Sequence, residues 1–244
     1  MKPLLTSATG VAGLVIYRSA LADPSVRHIT LLSRHPLPSW AVLPEDAPSR
    51  TTVIMHNDFL KYLSDVARQL TAHDAALGKT SVGTTETQYT ELTQGYTMAA
   101  VRALRDASAG EDKDGEPFRF VYTSGEGADQ SGSRWLPLFS RVKGRTEKDL
   151  IEFCNHSYSM KAHIYRPGYF FPSPKYPQDR EHQRSAKDGF MDTCIKTPIY
   201  SVLAPSLLSP IEDLARFTVE VAKGRWPHQE SFRNKDMRGL VKEL

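Results

Sequence analysis

A chain of 244 residues, 40% hydrophobic and 24% charged, has the length and composition of an ordinary globular α/β domain with a full core. A net charge of +3 is too small to argue for nucleic acid, and no basic stripe carries interleaved aromatics. No apolar run approaches a membrane span, and the two cysteines, Cys154 and Cys194, have neither metal-ligand spacing nor a disulfide framework. They read as reduced thiols of a cytoplasmic protein.

The opening, Leu4-Leu5-Thr6-Ser7-Ala8-Thr9-Gly10-Val11-Ala12-Gly13, predicts a buried strand, a turn of small residues and a helix running to Ala22. Lys2, the apolar residues and Ala20-Leu21-Ala22 loosely imitate a secretory leader. Thr6, Ser7, Thr9, Gly10 and Arg18 interrupt that run, however, and the strand–turn–helix reading accounts for them. The first turn of such a helix offers unpaired N–H groups and a positive dipole end, where the pyrophosphate of a dinucleotide can sit. Gly10 lets the backbone approach the phosphates, and Gly13 lets the helix lie close on the sheet. Ser7 stands where the usual fingerprint has its first glycine. If that position needs a positive φ, the serine costs about 1–2 kcal/mol. Ser7, Thr9, Gly10, Val11, Ala12 and Gly13 are therefore candidate cofactor contacts.

Further along, Leu14, Val15, Arg18 and Leu21 give the first helix its period, and Asp23-Pro24 stops it. His28–Ser33 reads as a second strand, followed by a loop with Pro36, Pro38, Pro44 and Pro48. Thr52–His56 reads as a third strand, and Phe59, Leu63, Val66, Ala67 and Leu70 form a helical stripe. Only Ala75-Ala76-Leu77-Gly78 is left for a fourth strand. Leu92, Tyr96, Ala99, Ala100 and Ala103 mark another helix, and Ala107–Glu116, with Glu111, Asp112 and Asp114, a solvated loop. Phe118–Thr123 is a fifth strand. Val142, Thr146, Leu150 and Phe153 share one face of a long helix, and His163–Tyr165 is a strand entering Arg166-Pro167-Gly168.

Residues 170–196 are rich in proline, charge and aromatics, as expected of a loop covering a ligand crevice. Ile211, Leu214, Ala215, Thr218 and Val221 build a last helix behind Pro210. Alternating strands and helices predict a Rossmann-like, doubly wound parallel sheet. A single domain over 1–244 is expected, with residues 170–244 forming a small C-terminal substrate lid.

Three pieces then belong together: Ser124 after the fifth strand, in Tyr122-Thr123-Ser124-Gly125-Glu126-Gly127; Lys143, in Leu138-Phe139-Ser140-Arg141-Val142-Lys143-Gly144; and Arg166-Pro167-Gly168. With the opening turn, Leu32-Ser33-Arg34, Leu77-Gly78-Lys79-Thr80 and Asn234-Lys235, the chain resembles the short-chain dehydrogenase/reductase superfamily. It is most similar to the atypical branch related to the Tat-interacting oxidoreductase and to fungal nucleoside-diphosphate-sugar epimerase-like proteins. The resemblance implies an NAD(P)-binding fold in which a serine positions the substrate carbonyl. A tyrosine four residues before a lysine exchanges the proton, and the lysine lowers the tyrosine's pKa and holds the nicotinamide ribose. Residues i and i+4 share a helix face, which is why that spacing works. Ser124 and Lys143 match, as the candidate catalytic residues. Position 139 is phenylalanine, which has no proton to give. Ser124, Ser140, Tyr169 or a substrate hydroxyl stand as alternative donors.

The same resemblance makes Leu77, Gly78, Lys143, Pro167 and Gly168 cofactor contacts. Arg34 follows the second strand where no carboxylate holds the ribose diol, so a 2′-phosphate and hence NADP are expected. Asp58-Phe59 either borders adenine or caps the next helix. The leading expectation is an NADP-dependent oxidoreductase acting on a small carbonyl or alcohol of secondary metabolism, without nucleic-acid or membrane partners, as a monomer or homodimer. The alternatives are a non-redox isomerase, dehydratase or cyclase reusing the pocket, and a non-catalytic NADP-binding sensor or interaction protein.

Overall fold

A computed structural model describes residues 1–62, 66, 76–77, 85–111, 115–183 and 205–244. Their strands are β1 (Leu4–Thr6), β2 (Ile29–Ser33), β3 (Thr51–Met55), β4 (Ala76–Leu77), β5 (Phe118–Thr123), β6 (Met160–Arg166) and β7 (Ser231–Arg233). They form a sheet in the order β3-β2-β1-β4-β5-β6-β7, with every pairing parallel. The strand order runs outward from β1 to β3, then restarts at β4 on β1's other side. That reversal is the place where open α/β sheets leave a crevice beyond the carboxyl ends of their strands.

Alternation along the strands sends side chains into two cores. Leu5, Ile29, Leu31, Val121 and Tyr165 face one side, with α1 (Val11–Ala22) and a helix at Ile211–Lys223. Leu4, Leu32, Phe118, Phe120, Tyr122, Ala162 and Ile164 face the other. That second side is covered by α3 (Tyr96–Asp106) and α4 (Leu138–Asn155), and α3 is entered through α2 (Glu86–Thr90) and one π-type turn. Thr85 caps α2, exchanging bonds with Gln88 at both of their backbone amides.

Several elements differ from the sequence reading. β6 spans Met160–Arg166 rather than three residues, because its Met160, Ala162 and Ile164 all pack on the α4 side. Ala109, in the segment expected to be solvated, is fully buried, and the following chain turns through a left-handed Gly110. Asp112 and Asp114 lie outside the described residues, as do Leu63, Ala67 and Leu70 of the expected helical stripe, Ala75 and Gly78 flanking β4, and Cys194. The short α5 (Pro177–Gln183), β7 and α7 (Asn234–Leu240) have no counterpart in the pattern analysis. The expected last helix is α6 (Ile211–Lys223), which lies against α1. Buried Cys154 has its thiol pushed up to about 12 by desolvation, so it stays protonated and inert. Among the described residues no helix is long and apolar enough to cross a membrane.

A buried pair joins the first helix to a segment far along the chain. Arg18 of α1 gives a forked contact to Asp179 of α5, with Nη2 to Oδ1 at 3.1 Å, and its Nε bonds the Val42 carbonyl at 2.9 Å. The same guanidinium lies 3.6 Å from the centre of the Tyr176 ring. Beside it His182 stacks on Trp40, and Gln183 reaches the Thr9 carbonyl at 3.5 Å.

Candidate active site

The turn after β1 is wound tightly. Ser7 has φ of 57°, so the conditional cost attached to a serine here applies. A Cβ on Gly13 would come within 2.0 Å of the Ser7 carbonyl oxygen, which makes glycine obligatory where α1 passes over the turn. Gly10 is exposed, Val11, Ala12 and Gly13 are partly exposed, and no side chain caps the helix. The first-turn amides thus open on the crevice at the strand-order reversal. Ser7→Gly relieves about 1–2 kcal/mol of left-handed strain and returns about 0.5–1 kcal/mol as chain entropy. A rise in urea midpoint at unchanged slope is the expected result.

Ser124 follows β5, and its amide bonds the Tyr165 carbonyl at 2.7 Å. The residue is buried, yet its Oγ has no hydrogen-bond partner among the described residues. Burying a hydroxyl without a partner is costly, so such a group points to a ligand that satisfies it. Lys143, on α4, directs its ammonium at the carbonyl oxygen of the same Ser124. It also runs along Gly125, where an added Cβ would meet Nζ at 3.5 Å. Desolvation lowers Lys143 to about 8, against a smaller opposing pull from Glu147.

One turn beyond Lys143, fully buried Glu147 takes a forked bond from Arg166, with Nε at 2.9 Å, and a bond from Gln130 Nε2 at 2.9 Å. Its charge is spent on that pair, and this leaves the Lys143 ammonium on a neutral carbonyl. The i,i+4 spacing of Lys143 and Glu147 was the available sign of this support, and reading motifs singly passes over it. α4 is pressed against the loop after β5 at Gly144, where a Cβ would sit 1.7 Å from the Asp129 carbonyl oxygen.

The other candidates fall at varied distances from this centre. Phe139 is 46% exposed, with its ring edge over Gly127. Arg34 is exposed, directly after the end of β2. Asp58 accepts the Leu60 amide at 3.0 Å, and Phe59 stacks on Tyr96. The backbone of Leu77 pairs with Tyr122, and Gly78 lies outside the described residues. Pro167 accepts the Glu126 amide at 2.8 Å, and Gly168 donates to Ser209 Oγ at 2.9 Å. A Cβ on Gly168 would meet the Leu207 carbonyl oxygen at 2.1 Å, so this glycine lets residues 205–209 close on β6. Glu126 receives Arg233 and the Asn234 amide, binding the loop after β5 to β7 and α7.

These residues suit a dinucleotide. The bare amides of α1 match a pyrophosphate, the Lys143 ammonium matches ribose hydroxyls, and the orphaned Ser124 hydroxyl matches the oxygen of a carbonyl or alcohol.

No protein-family model matches the chain. It is 32% identical over 133 residues to botcinic acid biosynthesis cluster B protein 16 of Botryotinia fuckeliana, an alignment covering 52% of this chain and 78% of that protein. The fold is similar to the PhqB reductase domain from Penicillium fellutanum, with a TM-score of 0.67 and 14% identity over 99% of this chain and 69% of the other. Gre2 from Candida albicans, solved in complex with NADPH, is similar with a TM-score of 0.70 and 11% identity, covering 96% of this chain and 77% of Gre2.

Proposed function

The chain belongs to a fungal biosynthesis-cluster family on the short-chain dehydrogenase/reductase fold, shared with the botcinic acid cluster protein, and from that premise we propose that it is an NADP-dependent oxidoreductase. Its substrate is a small carbonyl or alcohol of secondary metabolism. The observation that carries this reading is the buried, unpartnered Ser124 Oγ beside the Lys143 ammonium, at the carboxyl end of β5. The fold similarity to a reductase domain and to a protein solved with NADPH supports it.

When bound, the reduced nicotinamide supplies a hydride. Ser124 Oγ donates to the substrate oxygen and so holds the carbonyl in one orientation. Lys143 Nζ, anchored on the Ser124 carbonyl, keeps further N–H donors for ribose hydroxyls. The amides of Val11, Ala12 and Gly13 hold the pyrophosphate, and Arg34 pairs with a 2′-phosphate.

Calorimetry tests the cofactor half directly. NADPH binds more tightly than NADH, and Arg34→Ala removes about 10- to 100-fold of NADPH affinity while NADH affinity is unchanged, the scale of a charge-assisted bond at about 1.5–3 kcal/mol. Equal loss for both nucleotides would place Arg34 outside the site. Phe139 favours one second reading, a non-redox isomerase, dehydratase or cyclase, because the ring offers no proton. Substrate consumption without any change in NADPH absorbance would select it.

A further inference from the structure

Reduction of a carbonyl needs a proton as well as a hydride, and the helix position one turn before Lys143 holds Phe139, whose ring carries none. The nearby hydroxyls are poorly placed to replace it. Ser140 is buried, with its backbone bound to Asp129. Tyr169 is drawn to residues 207–209 by its backbone, with its ring against Phe171. Ser124 Oγ is neutral and enclosed, and on giving up its proton it would become a buried alkoxide with no described partner to hold the charge.

The Lys143 ammonium differs from all three. It bonds the backbone carbonyl of Ser124, the residue whose unpartnered Oγ is assigned to the substrate oxygen. The residue as a whole is partly exposed. The charged groups around it are otherwise engaged. On α4, Glu147 is held by Arg166 of β6 and by Gln130. In the loop after β5, the Asp129 carboxylate turns to the Ser131 amide and Glu126 to Arg233. Glu86 of α2 meets Arg141. No carboxylate holds the ammonium in a salt bridge among the described residues.

We infer that Lys143 is itself the proton donor of this enzyme, acting directly on the substrate oxygen that Ser124 orients. The inference rests on the reductase reading above. As the carbonyl carbon accepts hydride, its π pair moves to oxygen. One Nζ–H bond breaks and an O–H bond forms. The substrate gains two electrons, the nicotinamide loses them, and the neutral amine regains its proton from water. Desolvation brings the ammonium to about 8, within working range for an acid at neutral pH.

The test has two arms. The first needs no turnover: the lysine Cε resonances of isotopically labelled protein are titrated from pH 6 to 11. One resonance with a midpoint near 8 is expected, absent in Lys143→Met, against about 10.4 for the others. Titration of every lysine near the ordinary value overturns the inference, and this arm stands even if the substituted protein fails to fold. The second arm follows NADPH oxidation with phenanthrenequinone and nitrobenzaldehyde as carbonyl probes, with NADPH binding measured separately. Lys143→Arg keeps the positive charge but does not release a proton at these pH values. It should cut kcat about 10²- to 10⁴-fold while NADPH affinity moves less than about tenfold. Adding Phe139→Tyr to Lys143→Arg restores turnover. The wild-type kcat is flat below pH 8 and falls above it, as the acid is lost. Turnover in Lys143→Arg within about tenfold of wild type, or no oxidation of NADPH by wild type that binds it, overturns Lys143 as donor and leaves the binding site standing. Failure to bind NADPH overturns the underlying reading instead.

Discussion

Glu147→Ala lowers the free energy of unfolding by about 3–5 kcal/mol, because it strands a partly buried guanidinium. Glu147 is fully enclosed, and both of its oxygens are engaged by Arg166 and Gln130. Deleting it removes three bonds and leaves Arg166 facing a cavity. The Arg166 side chain is 20% exposed, so it can partly rehydrate, which favours the lower end of that range. Glu147→Gln keeps the volume and can still meet Gln130, and it should recover part of the loss. Urea unfolding of the three proteins reads this directly. The active site registers the change too. Removing the carboxylate takes away the one pull that opposes desolvation at Lys143, so the ammonium's midpoint falls further below 8. The high-pH limb of activity then moves toward neutrality. A variant that loses stability without moving that limb would show that Glu147 supports the helix alone.

Arg18→Met is expected to cost a similar 3–5 kcal/mol, since it leaves the Asp179 carboxylate, 1% exposed, without its counter-charge. Replacing both members, Arg18→Met with Asp179→Leu, should return most of the stability. Buried ion pairs are often no better than apolar residues of similar volume, whereas half a pair is worse than either. Thermal melting of the single and double substitutions separates these outcomes. Additive losses would mean that Arg18 stabilises through its Val42 and Tyr176 contacts rather than through the pair.

The parts of the fold legible in the sequence are those with local causes. The first strand, turn and helix could be read because small residues sit between two apolar periods, and φ at Ser7 bears out the strain attached to that position. β5 and α4 were equally plain. Placement of Ser124 and Lys143 together depended on family spacing, since no local rule joins residues 19 apart. The Arg18–Asp179 pair was illegible for the opposite reason. An arginine inside an amphipathic helix reads as a polar interruption, and its partner lies 161 residues away. β7 leaves no period in the sequence because Ser231–Arg233 carries one buried residue, Phe232. For Asp58 a turn cap and an adenine contact call for the same side chain, and the structure shows its bond to the Leu60 amide.

The sheet order also bears on how the protein is born. Residues 1–55 contain β1, β2 and β3 and emerge first, whereas the counter-charge for Arg18 lies at position 179. At about 5–20 residues per second, a ribosome leaves the first helix waiting on the order of ten to thirty seconds for its partner. For the first part of that interval, until Ala76–Leu77 has been made, the flank of β1 that will receive β4 is an unpaired edge open to other chains. Nascent protein should therefore lean on chaperones during synthesis more than its finished stability would suggest.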